Sequence, residues 1–165
     1  YAMDALWGEP FRLGITRLTL KSPKLNGAPP LRVLHFSDLH IERITIREQK
    51  MLKLIDELRP DVIVYTGDLL NFSYLEDARA RSECQAILNQ IHAPLGVYAI
   101  PGTPLIDSPE VLKSIYTGLD HIHLLIDETQ VIDGYPAVQL IGLGCTHDRS
   151  LDAAQPALKN TFSSH

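Results

Sequence analysis

The sequence predicts an α/β domain built on a largely parallel sheet flanked by helices, and three observations carry that expectation. From residue 31 onward the chain repeats one unit, an apolar run, a loop and an amphipathic helical stretch, which is the texture of consecutive β-α-β units. The runs Val33-Leu34-His35-Phe36 and Val62-Ile63-Val64 are nearly continuous rather than alternating, as strands of a parallel sheet covered on both faces are. The 165 residues, 45% hydrophobic and 21% charged, suffice for one sizeable core, since a chain of this length buries roughly 70% of its extended surface.

Residues 1–30 hold Pro10, Pro23, Pro29 and Pro30 and read as an N-terminal extension. Within it, residues 11–20 alternate Leu13 with Ile15 and then, in shifted register, Leu18 with Leu20, which predicts an edge strand entered through loops. The domain proper is expected over 31–165, and its first strand over 31–37 stops at Asp38. Thr45 with Glu48 makes a capping box, Met51, Leu54, Ile55 and Leu58 follow at helical spacing, and Pro60 blocks continuation. A second strand is expected over 61–66, and a second helix carries Cys84, Ile87, Leu88 and Ile91 on one face. A third strand, 97–100, leads through Pro101 and Gly102 to Ser108 as N-cap and Pro109 at the first helical position. Leu112, Ile115, Tyr116 and Leu119 share one face of that third helix, and Gly118 helps end it. Apolar runs at 124–126 and 138–143 are expected to complete a mixed sheet, and the chain from Thr146 onward is polar and irregular.

Charge and composition exclude some partners. The formal charge is -5, and the 15 Lys and Arg residues are scattered, so no basic stripe could track a nucleic-acid backbone. No window approaches the roughly 18 apolar residues that span a bilayer. The uncharged stretch near 92–106 is broken by Pro94, Gly96, Pro101, Gly102 and Pro104. The chain begins at Tyr1 rather than Met, which leaves room upstream for a targeting or anchoring segment, so location stays open between cytoplasm and membrane. The two cysteines, Cys84 and Cys145, have no paired spacing and are expected in the core rather than in a disulfide or thiolate metal site.

Ligands of open parallel sheets bind beyond the carboxyl ends of the strands, where the loops and helix N-termini converge. The first strand delivers Ser37-Asp38-Leu39-His40, the second Thr66-Gly67-Asp68 and the third Pro101-Gly102-Thr103-Pro104. Asp38, His40 and Asp68 would bring two carboxylates and an imidazole to one point, an oxygen and nitrogen set suited to Mn, Fe or Zn. Gly67 permits a tight turn just before the second carboxylate, so that Asp68 could lie between two ions. Two metals roughly 3.5 to 4 Å apart, bridged by a carboxylate, clamp an in-line attack on phosphorus. The plain structural alternative for Asp38 and Asp68 is a helix N-cap, and His40 two residues after Asp38 argues against it.

His35 and His123 read as packed or half-exposed structural histidines. His121 with His123 forms an His-x-His that precedes a strand rather than following one, whereas His147-Asp148 lies in a loop after a strand. Gly142-Leu143-Gly144 suggests a dinucleotide loop, but His147 stands at its third glycine position and no acidic partner about 20 residues on fits before the chain ends.

The order HFSDLH, YTGDLL and YAIPG, each after a strand and with one helix between the first two, resembles the calcineurin-like metallophosphoesterase family over roughly 31–141. The resemblance implies a partial αββα sandwich with a two-metal centre that hydrolyses phosphoesters or pyrophosphates of small molecules or lipids with metal-activated water. On the matching positions, Asp38 and His40 would hold the first metal and Asp68 would bridge both. The Pro-rich N-terminal approach is similar to that of membrane-attached members, which implies membrane association through upstream sequence.

Two departures qualify the match. The family's third motif is Gly-Asn-His-Asp, whereas this chain has Gly102-Thr103-Pro104-Leu105. Thr103 is at best a weak second-metal ligand, and Pro104 offers no donor for general-acid work. The family's later Gly-His-x-His ligands have no counterpart, since no Gly-His dipeptide occurs, so the C-terminal half of the site is expected to lie outside this chain. Three readings stand: an incomplete metal-dependent hydrolase with no catalytic residue of its own beyond its ligands, a degenerate member that binds a phosphorylated ligand or protein partner, and an unrelated doubly wound domain in which Asp38 and Asp68 hold one Mg²⁺ and His40 has no role.

Overall fold

The computed structural model describes residues 13–25 and 27–144. Four short strands, β1 (Val33–Phe36), β2 (Val62–Tyr65), β3 (Val97–Ala99) and β4 (Ile122–Leu124), pair in parallel in that spatial order. Three helices, α1 (Ile46–Leu58), α2 (Ala78–Leu88) and α3 (Pro109–Tyr116), make the crossovers. Every crossover steps the same way across the sheet, and right-handed connections then put all three helices on one face. Met51, Ile55, Cys84, Ile87, Val111 and Ile115 accordingly pack with Ile63, Tyr65, Val97, Ala99 and Ile122 in a single buried cluster.

The other face carries an antiparallel hairpin, β5 (Glu128–Ile132) and β6 (Tyr135–Gly142), turned at Asp133-Gly134. Its Ile132, Tyr135, Val138 and Leu140 pack with Val62, Val64, Tyr98 and Ile100. Two expectations are thereby corrected. The 138–143 run does not complete a mixed sheet; it pairs with β5, and only Leu124 of the 124–126 run enters the parallel sheet. Nor is β1 covered on both faces, because the helices lie on one side and the hairpin sits over β2 and β3, leaving Val33 50% exposed and His35 exposed.

The edge strand expected over 11–20 is not formed across 13–20, where Leu18 and Leu20 are 84% and 88% exposed. Its alternation meets no neighbouring strand, so neither a hydrogen-bond ladder nor a buried face rewards it. Residues 11 and 12, and everything from Cys145 onward, lie outside the described residues.

The caps at Thr45 and Ser108 match the sequence signals, and the structure adds a third at Asp77. Ser108 caps α3 with Pro109 in its first turn, and Asp77 caps α2 through Ala80 N–H at 2.9 Å. At α1 the Thr45 N–H and Oγ1 donate to Glu48 Oε2 at 2.7 and 2.5 Å, and Arg47 Nε donates to Oε1 at 2.6 Å. Glu48 is only 2% exposed. Burial pushes its carboxyl up, but the bonds from Thr45 and Arg47 outweigh that and hold it below the usual glutamate value. A depressed carboxyl contributes stability that is present above the unfolded value, near pH 4.3, and is lost as pH falls through the lower folded value. Glu48→Gln is therefore expected to lose less stability than the parent between pH 5 and pH 3 in urea titrations, and equal losses would contradict the assignment.

Candidate metal centre

Beyond their last paired residues, β1 and β2 keep running side by side. Asp38 N–H donates to Gly67 O at 3.2 Å, His40 N–H to Asp68 O at 3.1 Å and Ile41 N–H to Leu69 O at 2.6 Å, and Asn71 N–H returns to Ile41 O at 3.1 Å. This continued pairing holds the Asp38-His40 loop against Asp68. Asp38, His40 and Asp68 each offer a ligand atom, and these atoms all lie within 4.8 Å of one another. His40 Nε2 is 4.0 Å from Asp38 Oδ1, and the two side chains are 43% and 61% exposed, so the group is open to solvent.

All three residues adopt left-handed backbone, with φ of 54° at Asp38, 45° at His40 and 52° at Asp68. Such a conformation costs a non-glycine residue on the order of 1–3 kcal/mol and persists where surrounding contacts over-determine it. Those contacts are visible. Ser37 Oγ donates to Asp38 Oδ2, and Arg47 Nη2 donates to Leu39 O at 2.6 Å, between the two candidate ligands. Gly67, at φ 78°, lies so close to Gly102 that a Cβ there would stand 2.0 Å from Gly102 N.

The third loop closes over Asp68. Thr103 N–H donates to Asp68 Oδ1 at 2.7 Å and Thr103 Oγ1 to Oδ2 at 3.0 Å. Thr103, expected from the sequence as a weak second-metal position, lies against the carboxylate as a double donor that uses one lone pair on each oxygen.

Sequence reasoning missed Asp107, which is 5% exposed and whose Oδ2 accepts from Asp68 N–H at 3.0 Å and Gly102 N–H at 2.7 Å. Burial pushes its carboxyl above the usual aspartate range, against the pull of those two bonds. Asp107 belongs to no motif. Its only signal was an acidic residue immediately before the Ser108 cap.

The remaining candidates lie elsewhere. His35 pairs with Thr66 Oγ1 at 3.1 Å on the open sheet face. His121 sits against the His92 ring at 4.4 Å with Nε2 at Leu88 O, and His123 stacks on Tyr98 at 5.2 Å. The His-x-His is thus held by separate partners at the amino end of β4, away from the carboxyl-end loops. Gly142 packs where a Cβ would stand 2.3 Å from Leu125 Cβ, which accounts for it by close packing rather than phosphate binding. His147 and Asp148 lie outside the described residues. Cys84 is fully buried, and burial pushes its thiol up to about 12, as expected of a core cysteine.

Residues 31–102 match the family model of calcineurin-like phosphoesterases. This segment is similar to that family. The match ends at Gly102, just before the third motif departs from the family pattern. The chain is 35% identical over 100 residues to the UDP-2,3-diacylglucosamine pyrophosphatase LpxG of Chlamydia trachomatis and 33% identical to that of Chlamydia muridarum, in each case over 57% of this chain and 29% of the relative. It is 30% identical over 97 residues to the uncharacterized metallophosphoesterase YkuE of Bacillus subtilis, over 57% of this chain and 33% of the relative. The matched segment spans a third or less of these relatives. No solved structure matches the chain.

The donor set fits a divalent ion of the kind the family uses. Two carboxylates and an imidazole converge, and among the described residues no Lys or Arg forms an ion pair with Asp38 or Asp68. Uncompensated carboxylates a few ångströms apart repel, and a cation removes that repulsion.

Proposed function

We propose that Asp38, His40 and Asp68 form the first-metal half of a centre that hydrolyses phosphoester or pyrophosphate bonds. The observation that carries this is their convergence at the carboxyl ends of two adjacent parallel strands, inside the segment that matches the family. A Mn, Fe or Zn ion held there would polarise a phosphoryl oxygen and lower the pKa of a water.

The chain's own residues do the rest. Asp38 and Asp68 would supply the negative charge, with Asp68 shared with a second ion, and His40 would supply an imidazole nitrogen. Ser37 and Thr103 fix the two carboxylates by donating to them. No general acid stands at position 104, since Pro104 has no side-chain donor, so departure of the leaving group would rely on water or on ligands outside this chain. The relatives named for UDP-2,3-diacylglucosamine support a phosphorylated lipid or nucleotide-linked substrate.

The test is hydrolysis of a UDP-linked diacyl sugar and of 4-nitrophenyl phosphate esters by the Mn²⁺-loaded chain. Weak turnover that requires the metal is expected, with the pyrophosphate substrate preferred and a loss of about tenfold or more in His40→Ala. Turnover indifferent to His40 would contradict the assignment.

A second reading, a degenerate member that binds a phosphorylated ligand or protein partner without turning it over, is favoured by Thr103-Pro104. There the family's Asn ligand is replaced by a hydroxyl already committed to Asp68. Metal binding that depends on His40, without any turnover, would select it.

A further inference from the structure

We infer that Asp107 is the positioning residue of this site, a buried acceptor that ties the Asp68 loop to the Gly102-Thr103 loop and so aims the Asp68 carboxylate. In its bearing on metal binding this rests on the assignment of Asp38, His40 and Asp68 as ligands.

The need for an acceptor follows from the backbone. At the carboxyl ends of β2 and β3 the ladder between these two strands stops, and the N–H groups of Asp68 and Gly102 lie in a crowded space. Buried amides without an acceptor are costly, and nearly all find one. Here both find the same atom, Asp107 Oδ2, at 3.0 and 2.7 Å. Asp107 is delivered by a turn in which Ile106 N–H and Asp107 N–H both donate to Thr103 O at 2.8 Å, and the next residue, Ser108, caps α3. Asp107 is thus anchored to a helix on one side and to two loops on the other.

Loop closure has a direct effect on the candidate ligand. Once Gly102 is drawn to Asp107, Thr103 falls where its N–H and hydroxyl meet the two Asp68 oxygens. The Asp68 side chain is then held in a single orientation while its backbone stays at φ 52°. A ligand already oriented loses less freedom when an ion arrives. Because both bonds land on one oxygen, the role asks for an acceptor rather than a charge. An asparagine can therefore fill it, whereas an alanine cannot.

The test uses the whole chain with Asp107→Ala and Asp107→Asn, reading Mn²⁺ affinity and, in the metal-free protein, amide hydrogen exchange residue by residue. In Asp107→Ala, exchange at Asp68 and Gly102 is expected to rise about tenfold or more, with Ile63 and Val97 in the central strands unchanged, and Mn²⁺ binding to weaken about tenfold. In Asp107→Asn both readouts should stay within about threefold of the parent. Unchanged exchange in the alanine variant would overturn the inference, as would an asparagine variant as impaired as alanine, since that would assign the effect to charge.

Should the alanine variant fail to fold, the asparagine variant decides alone: parent-like readouts support the acceptor role, and loss of either overturns it. If the parent itself bound no Mn²⁺, the ligand assignment would fall. The loop-joining role would then stand or fall on the exchange pattern.

Discussion

Gly67→Ala is expected to destabilise the fold by about 2–4 kcal/mol and to abolish ion binding at the Asp38, His40 and Asp68 group. Two costs add. The position has φ 78°, which an L side chain adopts only under strain. In addition, its Cβ would stand 2.0 Å from Gly102 N and 2.2 Å from Gly102 Cα, backbone atoms that cannot swing away like the end of a flexible side chain. The loops would have to separate, and the Thr103 and Asp107 bonds to Asp68 would go with them. Urea unfolding measures the first effect and Mn²⁺ titration the second. A variant of parent stability that still binds the ion would show that loop contact at Gly102 is not what builds the site. Gly118, also left-handed but with nothing within 4 Å of its missing Cβ, is the comparison position, where only the conformational cost applies.

Asp68→Asn is expected to weaken Mn²⁺ binding at least about tenfold, roughly 1.4 kcal/mol, while leaving the fold intact. The substitution removes a charge but keeps a carbonyl oxygen that can still accept from Thr103, so the loop contacts have a partner and the loss falls on the ion. An unchanged affinity would remove Asp68 from the ligand set, and far-ultraviolet circular dichroism with a urea midpoint close to the parent's would rule out unfolding as the cause.

The bounds of α1 and the start of α3 were legible because each carries its own chemistry, Thr45 with Glu48, Pro60 as a stop and Ser108 with Pro109, whereas Ile91 and Leu119, read as helical, lie beyond the ends of α2 and α3. The candidate ligands were legible for the same kind of reason, since Asp38, His40 and Asp68 stand immediately after apolar runs that do form adjacent parallel strands. What escaped is what depends on the third dimension. Apolar periodicity does not report strand order, so the one-sided placement of the helices and the half-open face of β1 could not be read from it. The β5 strand reads Glu-Thr-Gln-Val-Ile, mostly polar because its outer face is exposed, and its signal was the Asp133-Gly134 turn rather than its hydrophobicity. The alternation at 13–20 was a true pattern without a neighbouring strand to satisfy it. Asp107 escaped because a residue that accepts backbone N–H bonds from loops 5 and 39 positions away leaves no spacing to recognise.

The most direct measurement is the stoichiometry of Mn²⁺ bound to the metal-free chain, read by electron paramagnetic resonance of the free ion and checked by elemental analysis after dialysis. About one ion per chain is expected, because Asp38, His40 and Asp68 offer a single set of ligands and Thr103 already uses one lone pair on each Asp68 oxygen. Binding that disappears in Asp68→Asn would complete that result. An ion count near zero, or one that survives in the variant, would contradict it and leave the three left-handed residues as structure without a metal.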